Sequence, residues 1–388
     1  MVKNNKFTAF LVVILLQVIL ISVAYDIGFW LGSTRGGLMG EFPILAQAYE
    51  ILKDNTIKDL PSAKAMDYGM VRGLLQVLND PYTIFVEPPQ HKLETNQLEG
   101  KFGGIGARIE RNSMGNYLLF PYNDSPAQLA GIQDADQLKK VGDRVIGSDT
   151  KVEDVTTAVR GDVGTTVKIT ISRTPSQEEI VYSIVRKEIA LPSLNWNLIP
   201  EQPQIGLVQI SIISATTPDE VTKAINDLKF KNVSHLIIDL RNNGGGLVEA
   251  GLKTAALFLN SGVIMEQQYR GQPKKDFPVN KPGPFVDIPT VILINHGTAS
   301  AAEIIAGSLQ AQKRVQLIGS SSYGKDTIQL VFDLSDGSSL HVTAAYWWIP
   351  GLVFPNNGTG LIPDILLSEE ETQTPKLMQT AIEKVLEK

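Results

Sequence analysis

From Ile205 onward the chain alternates short apolar runs with helical stretches, and no other feature constrains its fold as strongly. The apolar runs read IGLVQIS, HLIIDL, TVILIN and VQLIG, in this order along the chain. Runs of this length suit buried strands, and the stretches between them, residues 218–228, 247–259 and 300–310, suit helices. Strands that alternate with helices predict an α/β layered domain in this part of the chain.

The segments before Ile205 predict further domains of a different kind. Residues 41–78 space their apolar side chains by three and four, as two amphipathic helices do, and Asn79, Asp80 and Pro81 end the second one. From Gly100 onward, short alternating runs such as TTVKITISR and IVYSIV predict a small β-rich domain. A chain of 388 residues is long enough for two or three domains.

The N-terminus carries an apolar segment, residues 7–24, which follows Lys3 and Lys6 and reads FTAFLVVILLQVILISVA. About 20 helical residues cross a bilayer core, so we expect this segment to anchor the chain in a membrane. Ser22 and Ala24 have the spacing of a signal peptidase site, which makes secretion after cleavage behind Ala24 the alternative. In either case the lysines stay in the cytoplasm and the body of the chain lies on the extracytoplasmic side.

Composition excludes several classes of function. The chain has 35 Lys and Arg against 41 Asp and Glu, a net charge of −6, and a pI near 5.4, which argues against nucleic-acid binding. It has no cysteine, so disulfides and thiolate chemistry are excluded. The sequence shows no metal-ligand spacing, and we therefore expect no metal and no other cofactor.

The first of three glycine-containing junctions lies at residues 235–246, HLIIDLRNNGGG, where an apolar strand runs into consecutive glycines before a helix. Unpaired backbone N–H groups at such a junction suit a phosphate or a developing oxyanion. A tight strand-to-helix turn that needs a positive φ is the alternative interpretation.

The second junction, residues 290–310, places Ser300 at the start of an alanine-rich helix. Ser300 suits an N-cap, since Glu303 three residues later completes a capping box. Ser300 equally suits a nucleophile, with the N–H of Ala301 available to a tetrahedral intermediate. The two interpretations are compatible.

The third junction, residues 315–334, nearly matches the phosphate-binding pattern GxxxxGK[ST] with Gly319, Gly324 and Lys325. Asp326 stands where the pattern needs a hydroxyl, and the TIQLVFDL that follows alternates like a strand, so we reject a nucleotide site. Lys325 then remains as a solvated turn lysine or as a general base in a pocket near Ser300.

A histidine base would give a different active site. Only four histidines are present, His91, His235, His296 and His341, and His296 lies four residues before Ser300. In a Ser-His-Asp site His296 would be the base, but a strand end so close to the nucleophile directs its side chain poorly. A lysine base needs no histidine, which suits this composition.

Eight motifs follow one another in a fixed order between Ile44 and Leu386. They are LNDPYTIFVEP at 78–88, FGGIGARI at 102–109, SPAQLAGI at 125–132, VRGDVGTTVKITISR at 159–173, DLRNNGGGL at 239–247, GTASAAEI at 297–304, YGKDTIQ at 323–329 and LIPDI at 361–365. In these motifs and their order the chain resembles the carboxyl-terminal processing peptidases, the tail-specific serine proteases of peptidase family S41 that carry a PDZ domain.

The resemblance implies a fold of α/β and β parts. Its divisions are a signal anchor or transmembrane segment at 1–32, a small helical region at 33–95, a PDZ domain at 96–190, and an α/β layered protease core of the crotonase or ClpP type, with C-terminal strands and helix, at 191–388.

The resemblance also implies roles for individual residues. It makes Ser300 the nucleophile, Lys325 the general base, Gln329 the group that orients the lysine, Gly246 and Ala301 the oxyanion hole, and Glu303 a supporting residue. In the PDZ domain it assigns peptide binding to Gly103, Gly104, Ile105, Gly106 and Arg160, with Arg160 coupling an occupied groove to the protease core.

One departure from the family pattern lies beside the predicted base. Asp326 stands where glycine is usual, and a carboxylate that faced Lys325 would raise the pKa of the lysine and oppose catalysis. We therefore expect the side chain of Asp326 to point outward.

Two functions remain open from the sequence. One is an exported serine endopeptidase that binds the apolar C-terminal tail of a protein substrate along a PDZ groove and cleaves it with Ser300 and Lys325. The alternative is a catalytically silent scaffold that binds such tails without cutting. The expected partners are proteins or peptides with apolar tails, the membrane through the N-terminal segment, and further copies of the chain in a homo-oligomer, but not nucleic acid.

Overall fold

The computed structural model describes residues 42–174, 178–352 and 359–387. The chain divides into two compact units, residues 1–74 and 75–388. The apolar segment at 7–24, predicted to anchor the chain, lies outside the described residues. No helix within the described ranges combines the length and the apolar character needed to cross a membrane.

Helices make up the described part of the first unit. They are α1, Pro43–Asn55, and α2, Ala63–Leu78, whose last residues belong to the second unit. A proline opens α1, where the first N–H needs no intrahelical partner. Asn79 follows α2 with a φ of +55°, a conformation that ends a helix, so both helices predicted over 41–78 are present.

The second unit begins with a region rich in strands. Its elements are β1 (Ile84–Val86), α3 (Pro88–Glu99), β2 (Lys101–Gly104), β3 (Ala107–Arg111), β4 (Tyr117–Pro121), α4 (Pro126–Ala130), β5 (Asp136–Val141), β6 (Arg144–Val145), α5 (Val152–Val159), β7 (Thr166–Arg173), β8 (Glu178–Val185) and β9 (Lys187–Ala190). An antiparallel sheet of order β3-β4-β5-β7-β8 carries β6 on β5, and β2 pairs separately with β9.

This strand-rich region has its own core. The inward side chains of β4 and β7, among them Leu119 and Ile169, are fully buried, and α5 covers them with Val155. The alternating runs that predicted strands at 165–173 and 180–185 form β7 and β8. One face of this sheet is thus buried under short helices, as the alternation indicates.

The α/β region follows and ends the chain. Its elements are β10 (Leu194–Ile199), β11 (Gln202–Ile210), α6 (Thr217–Phe230), β12 (His235–Asp239), α7 (Val248–Ala256), β13 (Val263–Tyr269), β14 (Lys275–Pro278), β15 (Thr290–Ile294), α8 (Ala301–Ala311), β16 (Gln316–Gly319), β17 (Thr327–Asp333), β18 (Ser339–Trp348), β19 (Ile365–Leu366), a 3₁₀ turn (Glu371–Gln373) and α9 (Pro375–Leu386).

The central sheet of this region has the order β10-β11-β12-β15-β16-β19, and β11, β12, β15, β16 and β19 are parallel. Helices α6, α7 and α8 bury one face with side chains such as Ile225 and Ile305, and α9 buries the other with Leu377. All five residues of β15 are buried, because both faces of the sheet are covered. The predicted α/β layers are confirmed.

A second sheet of this region lies beside the first. Its order is β1-β18-β13-β14, and β17 pairs with β18 as an antiparallel hairpin. The short strand β1 is distant in sequence from β18 but pairs with it, Ile84 opposite His341 and Val86 opposite Ser339. This pairing places β1 on the residues of β18 that also pair with the end of β17, residues 331–333.

Candidate active site

The three glycine junctions meet at one edge of the central sheet. They follow β12, β15 and β16, which are adjacent parallel strands, so their carboxyl ends lie side by side. Hydrogen bonds join them: Ala299 N donates to Asn243 O at 2.9 Å, and Tyr323 N donates to Thr298 O at 2.9 Å. The three junctions were predicted separately from the sequence, and the fold brings them together at one edge of the sheet.

A cavity of 650 Å³ opens at this edge. Its lining comes from α3, the first junction, the start of α8 and strands β17 and β18. The lining residues are Glu94, Gln97, Leu98, Ser211, Ile212, Gly244, Gly245, Gly246, Leu247, Val248, Ser300, Lys325, Thr327, Ile328, Gln329, Leu330, Val331 and His341. Ser300, Lys325, Gln329 and Gly246, which were predicted from the sequence, thus face one cavity.

Ser300 stands directly before α8 with φ +54° and ψ −119°, a conformation that costs a residue other than glycine about 1–3 kcal/mol. Its backbone N–H donates to Oε2 of Glu303 at 2.7 Å, which is one half of the predicted capping box. The serine is half-buried. The prediction that Ser300 begins the helix is confirmed. The hydrogen bond to Glu303 holds its backbone in this strained conformation.

Glu303 organises the site from beneath. Its carboxylate is fully buried, and it accepts hydrogen bonds from the Ser322 hydroxyl at 2.6 Å and the Gly324 N–H at 2.6 Å on Oε1. The other oxygen, Oε2, accepts from the backbone N–H of Lys325 at 3.1 Å as well as from that of Ser300. A single carboxylate oxygen therefore binds the backbones of both Ser300 and Lys325.

Burial raises the pKa of the Glu303 carboxyl, and the hydrogen bonds from Ser322, Gly324, Ser300 and Lys325 lower it in part. A buried carboxylate keeps its charge only when donors satisfy its oxygens.

Lys325 extends its amine into the cavity. Its Nζ donates to Oε1 of Gln329, and Gln329 in turn donates from Nε2 to the backbone carbonyl of Tyr82. Nζ also lies 5.1 Å from the centre of the Tyr82 ring. Burial lowers the pKa of the lysine, and the charges of Asp80 and Glu303 oppose that shift. An amine with a lowered pKa is suited to accept a proton from a hydroxyl within hydrogen-bond reach.

Asp326 lies beside this lysine in the sequence. Its backbone carbonyl accepts from Trp347 N at 2.9 Å, its side chain is half-buried, and burial raises the pKa of its carboxyl. The carboxylates whose charges act on Lys325 are Asp80 and Glu303, whereas Asp326 acts on the phenol of Tyr82. The outward direction expected for this side chain stays a prediction.

The first junction presents backbone N–H groups to the cavity. Ile213 N donates to Gly245 O and Leu247 N donates to Ile213 O, at 2.9 and 2.8 Å. This bridge leaves the N–H of Gly246, at φ +145°, without a hydrogen-bond partner within the described residues, and the same holds for Ala301 N in the first turn of α8. Gly245 also lies close to the start of α8, because a Cβ built on it would lie 3.0 Å from Ala301 N.

His296 takes no part in this cavity. Its side chain is exposed, and its ring lies 5.8 Å from that of Tyr323. The histidine that lines the cavity is His341, which the sequence had not singled out. The alternative base is therefore not among the residues that line the cavity with Ser300.

The predicted peptide-binding residues divide into two groups. Ile105, Gly106 and Arg160 line a second cavity, of 580 Å³, between the strand-rich sheet and residues 189–192, and the Arg160 guanidinium lies 4.1 Å from the Phe102 ring centre. Gly103 and Gly104 are instead paired with β9. Gly103 packs so closely on Gly161 that a Cβ would lie 2.1 Å from its carbonyl. This close backbone contact explains why position 103 is a glycine.

Sequence reasoning missed the contribution of the segment before the strand-rich sheet. Asp80, Tyr82 and Glu94, from this segment, lie at the cavity or act on Lys325. Tyr82 is also joined to Tyr323 by a hydrogen bond that raises the pKa of the Tyr82 phenol to about 12. The motif LNDPYTIFVEP could have indicated this contribution. Its turn is followed by a short strand, and a short strand needs a pairing partner elsewhere in the chain.

No group of three or more histidine, aspartate or glutamate side chains in the described ranges has an arrangement that could hold a metal ion.

Comparisons with known proteins identify relatives of this chain. The sequence profile of peptidase family S41 matches residues 204–367. The carboxy-terminal processing protease CtpA of Bacillus subtilis is 35% identical over 308 residues, which are 79% of this chain and 65% of that protein, slightly under two thirds of its length. A carboxyl-terminal-processing protease of Picosynechococcus sp. is 30% identical over 340 residues, which are 84% of this chain and 78% of that protein.

Among solved structures, a photosystem II D1 C-terminal processing protease has 27% sequence identity and a TM-score of 0.48, and the match covers 87% of this chain and 90% of that one. The identity to the Picosynechococcus protein and the share of it that is matched establish the relationship. This chain belongs to peptidase family S41, the serine-type peptidases that include the carboxyl-terminal processing proteases.

Proposed function

We propose that this protein is an exported serine endopeptidase that binds the C-terminal tails of protein substrates and hydrolyses their peptide bonds with Ser300 and Lys325. One observation carries the proposal: the backbones of both residues donate to the same oxygen of Glu303, and both side chains line one cavity. A nucleophile and a base held by a common buried anchor keep their geometry without the help of substrate.

In this mechanism the neutral amine of Lys325 takes the proton of the Ser300 hydroxyl as its Oγ attacks the substrate carbonyl. The backbone N–H groups of Gly246 and Ala301 donate to the oxygen that becomes negative. The lysine then gives its proton to the leaving amine, and water releases the acyl group by the reverse sequence. Gln329 holds the amine in place, itself held by the Tyr82 carbonyl.

Strand β17 supplies a route for an extended substrate. Within the described residues it pairs with β18 alone, so its other edge is open. Five consecutive residues, 327–331, line the cavity, which means that the edge of the strand and not just one face borders it. A substrate segment that pairs with this edge would pass Ser300 between β17 and the Gly244–Gly246 backbone.

The second cavity supports tail binding of the PDZ kind. It is lined largely by apolar side chains, among them Ile105, Val159 and Ile189, and strand β2 ends beside it. Apolar tails suit such a lining, and Arg160 stacked on Phe102 at its margin is the group we assign to coupling with the protease core.

The experiment that tests the proposal is mass mapping of fragments from candidate exported proteins, with wild-type protein compared with Ser300→Ala. Fragments that appear with the wild type alone support the peptidase. Binding of substrates ending in apolar residues, without fragments over a range of pH, would favour the silent scaffold.

Export is a separate part of the proposal. It rests on the apolar segment at 7–24 and the lysines before it. Carbonate extraction of membranes tests the anchor, since an anchored chain stays in the membrane fraction. Release of a chain that starts at Tyr25 would establish the cleaved, secreted form instead.

Gly245→Ala is expected to lower kcat about 100-fold, an effect of the size of losing one oxyanion donor. Its Cβ would lie 2.8 Å from both the Ala299 carbonyl and Ser300 Cβ, at a φ of +97° that alanine disfavours. Gly244→Ala is the matched control, since its Cβ would meet nothing within 4 Å and a much smaller effect follows. Steady-state kinetics of both variants decide; equal rates for the two would contradict the assignment of this backbone to the reaction.

His296→Ala is expected to retain peptidase activity within about twofold, because surface changes rarely exceed 0.5 kcal/mol and this ring is exposed outside the cavity. The measurement is kcat/KM on one peptide substrate. A loss comparable to that of Ser300→Ala would restore histidine as the base.

A further inference from the structure

The catalytic cavity contains a carboxylate that the proposed mechanism does not use. Among the lining residues the titratable side chains are Glu94, Lys325 and His341. The base must be uncharged before it takes a proton, so Lys325 contributes no charge at that stage. The charge of the cavity at the start of the reaction therefore depends on Glu94 and His341.

His341 makes no hydrogen bond to Glu94. Burial lowers the pKa of its imidazole, against the opposing charge of Glu94. Its Nε2 lies 3.9 Å from Oε2 of Glu94, too far for a hydrogen bond, and only 3.1 Å from the Ser339 hydroxyl. The imidazole bonds to serine and donates no hydrogen bond to the carboxylate.

The remaining partner of Glu94 is neutral. Oε1 accepts a hydrogen bond from the Gln90 amide at 2.8 Å, and within the described residues Oε2 accepts none. The side chain is 31% exposed, so a substrate group can reach it from the cavity. A carboxylate with one open oxygen is suited to a cationic donor.

The surroundings of Glu94 also suit the stem of a long cationic side chain. Leu98 lies one turn further along α3 and lines the same cavity. Val331 is paired with His341, which neighbours Glu94, and it is 48% exposed beside Leu330. Lysine and arginine lay their methylene groups on apolar surface and place the charge at its polar margin.

We propose that Glu94, with Leu98 and Val331, forms a subsite that binds a lysine or arginine side chain of the substrate close to the scissile bond. The inference rests on the proposed peptidase function, because it assumes that a peptide passes through this cavity. It concerns the residues around the cleaved bond, which are distinct from the C-terminal tail that the second cavity would hold.

The test uses pairs of peptides that differ at a single position. One member of each pair has lysine there and the other has methionine, a side chain of similar length, and the position is varied over the three residues on either side of the cleaved bond. For the wild type, kcat/KM is expected to favour lysine about five- to tenfold at one position. In Glu94→Gln that ratio falls to about one, and in Glu94→Lys a glutamate peptide becomes preferred over the lysine peptide at the same position. Added salt reduces the wild-type ratio.

Glu99→Gln is the matched control, since it removes the same charge from the exposed end of α3 outside the cavity. Its ratio is expected to equal that of the wild type. No preference for lysine at any position, or an unchanged ratio in Glu94→Gln, would overturn the subsite. Thermal unfolding of each variant verifies that it is folded.

Failure of the peptidase function is distinguished by two further measurements. Cleavage of the methionine peptide by the wild type tests hydrolysis by itself, because this peptide has no cationic side chain for Glu94 to bind. Affinities of the same peptides for Ser300→Ala and for Ser300→Ala with Glu94→Gln test the subsite when no peptide is cleaved. Equal affinities for lysine and methionine peptides at every position in Ser300→Ala would overturn it there as well.

Discussion

Lys325→Ala is expected to lower kcat/KM at least about 10³-fold at neutral pH, because it removes the group that takes the proton of Ser300. The side chain is held by Gln329 and bordered by Tyr82, and no other amine lines the described cavity. Steady-state kinetics on a single peptide measure the loss, with thermal unfolding as the test of an intact fold.

The pH dependence of the wild type follows from the same residue. Burial lowers the pKa of Lys325, so the neutral amine forms nearer to neutral pH than in a solvated lysine. Activity is expected to rise with pH through this lowered pKa and then to level off, because only the deprotonated amine accepts a proton. A profile with the acidic limb at the ordinary pKa of lysine, about 10.4, would contradict the desolvation argument.

Two variants serve as controls for this prediction. Lys325→Arg is expected to be as inactive as the alanine variant, because a guanidinium keeps its proton throughout the accessible pH range. Lys384→Ala, on the surface of α9, changes the same residue type away from the cavity and is expected to match the wild type. Retention of more than about a tenth of the activity in Lys325→Ala would remove this lysine from the role of base.

Glu303→Ala is expected to lower the free energy of unfolding by about 3 kcal/mol or more and to abolish measurable turnover. The substitution leaves the backbone N–H groups of Ser300, Gly324 and Lys325 and the hydroxyl of Ser322 without their acceptor in a buried place. Both reacting side chains depend on these backbones for their positions. Chemical denaturation and kinetics on the same preparation measure the two losses.

Ser308→Ala provides the matched comparison on the same helix. Ser308 is also fully buried, but its hydroxyl donates to the Ile305 carbonyl at 3.2 Å and touches no part of the catalytic cavity. Its loss is expected to cost about 1 kcal/mol and to leave kcat unchanged. An alanine at 303 that is as stable and active as this control would show that the carboxylate does not organise the site.

Local patterns in the sequence were sufficient for the elements that hold the site. Apolar runs predicted β11, β12, β15 and β16, and alternation predicted β17 after Lys325 where a nucleotide-binding loop would need a helix. Such patterns succeed because burial on one or both faces imposes a fixed period on the residues of each element.

Local patterns could not predict the contacts of the site, because these contacts join segments that are distant in the sequence. Gln329 binds the carbonyl of Tyr82, 247 residues earlier, and Glu94 reaches the same cavity from α3. The sequence singled out Gly246, and the structure adds Gly245, which packs against the start of α8. Gly103 and Gly104 pair with β9, Gly103 also packs on Gly161, and their predicted role in peptide binding stays a prediction.

The sequence by itself determined which side chains were available for chemistry: a serine before a buried helix, a lysine after a glycine turn, and no cysteine. Only the tertiary structure decided that Ser300 and Lys325 share one buried carboxylate, and that the lysine is desolvated beside Tyr82. The reason is physical. A residue's type and period are local properties, whereas its pKa and its partners depend on which distant segments exclude water from it.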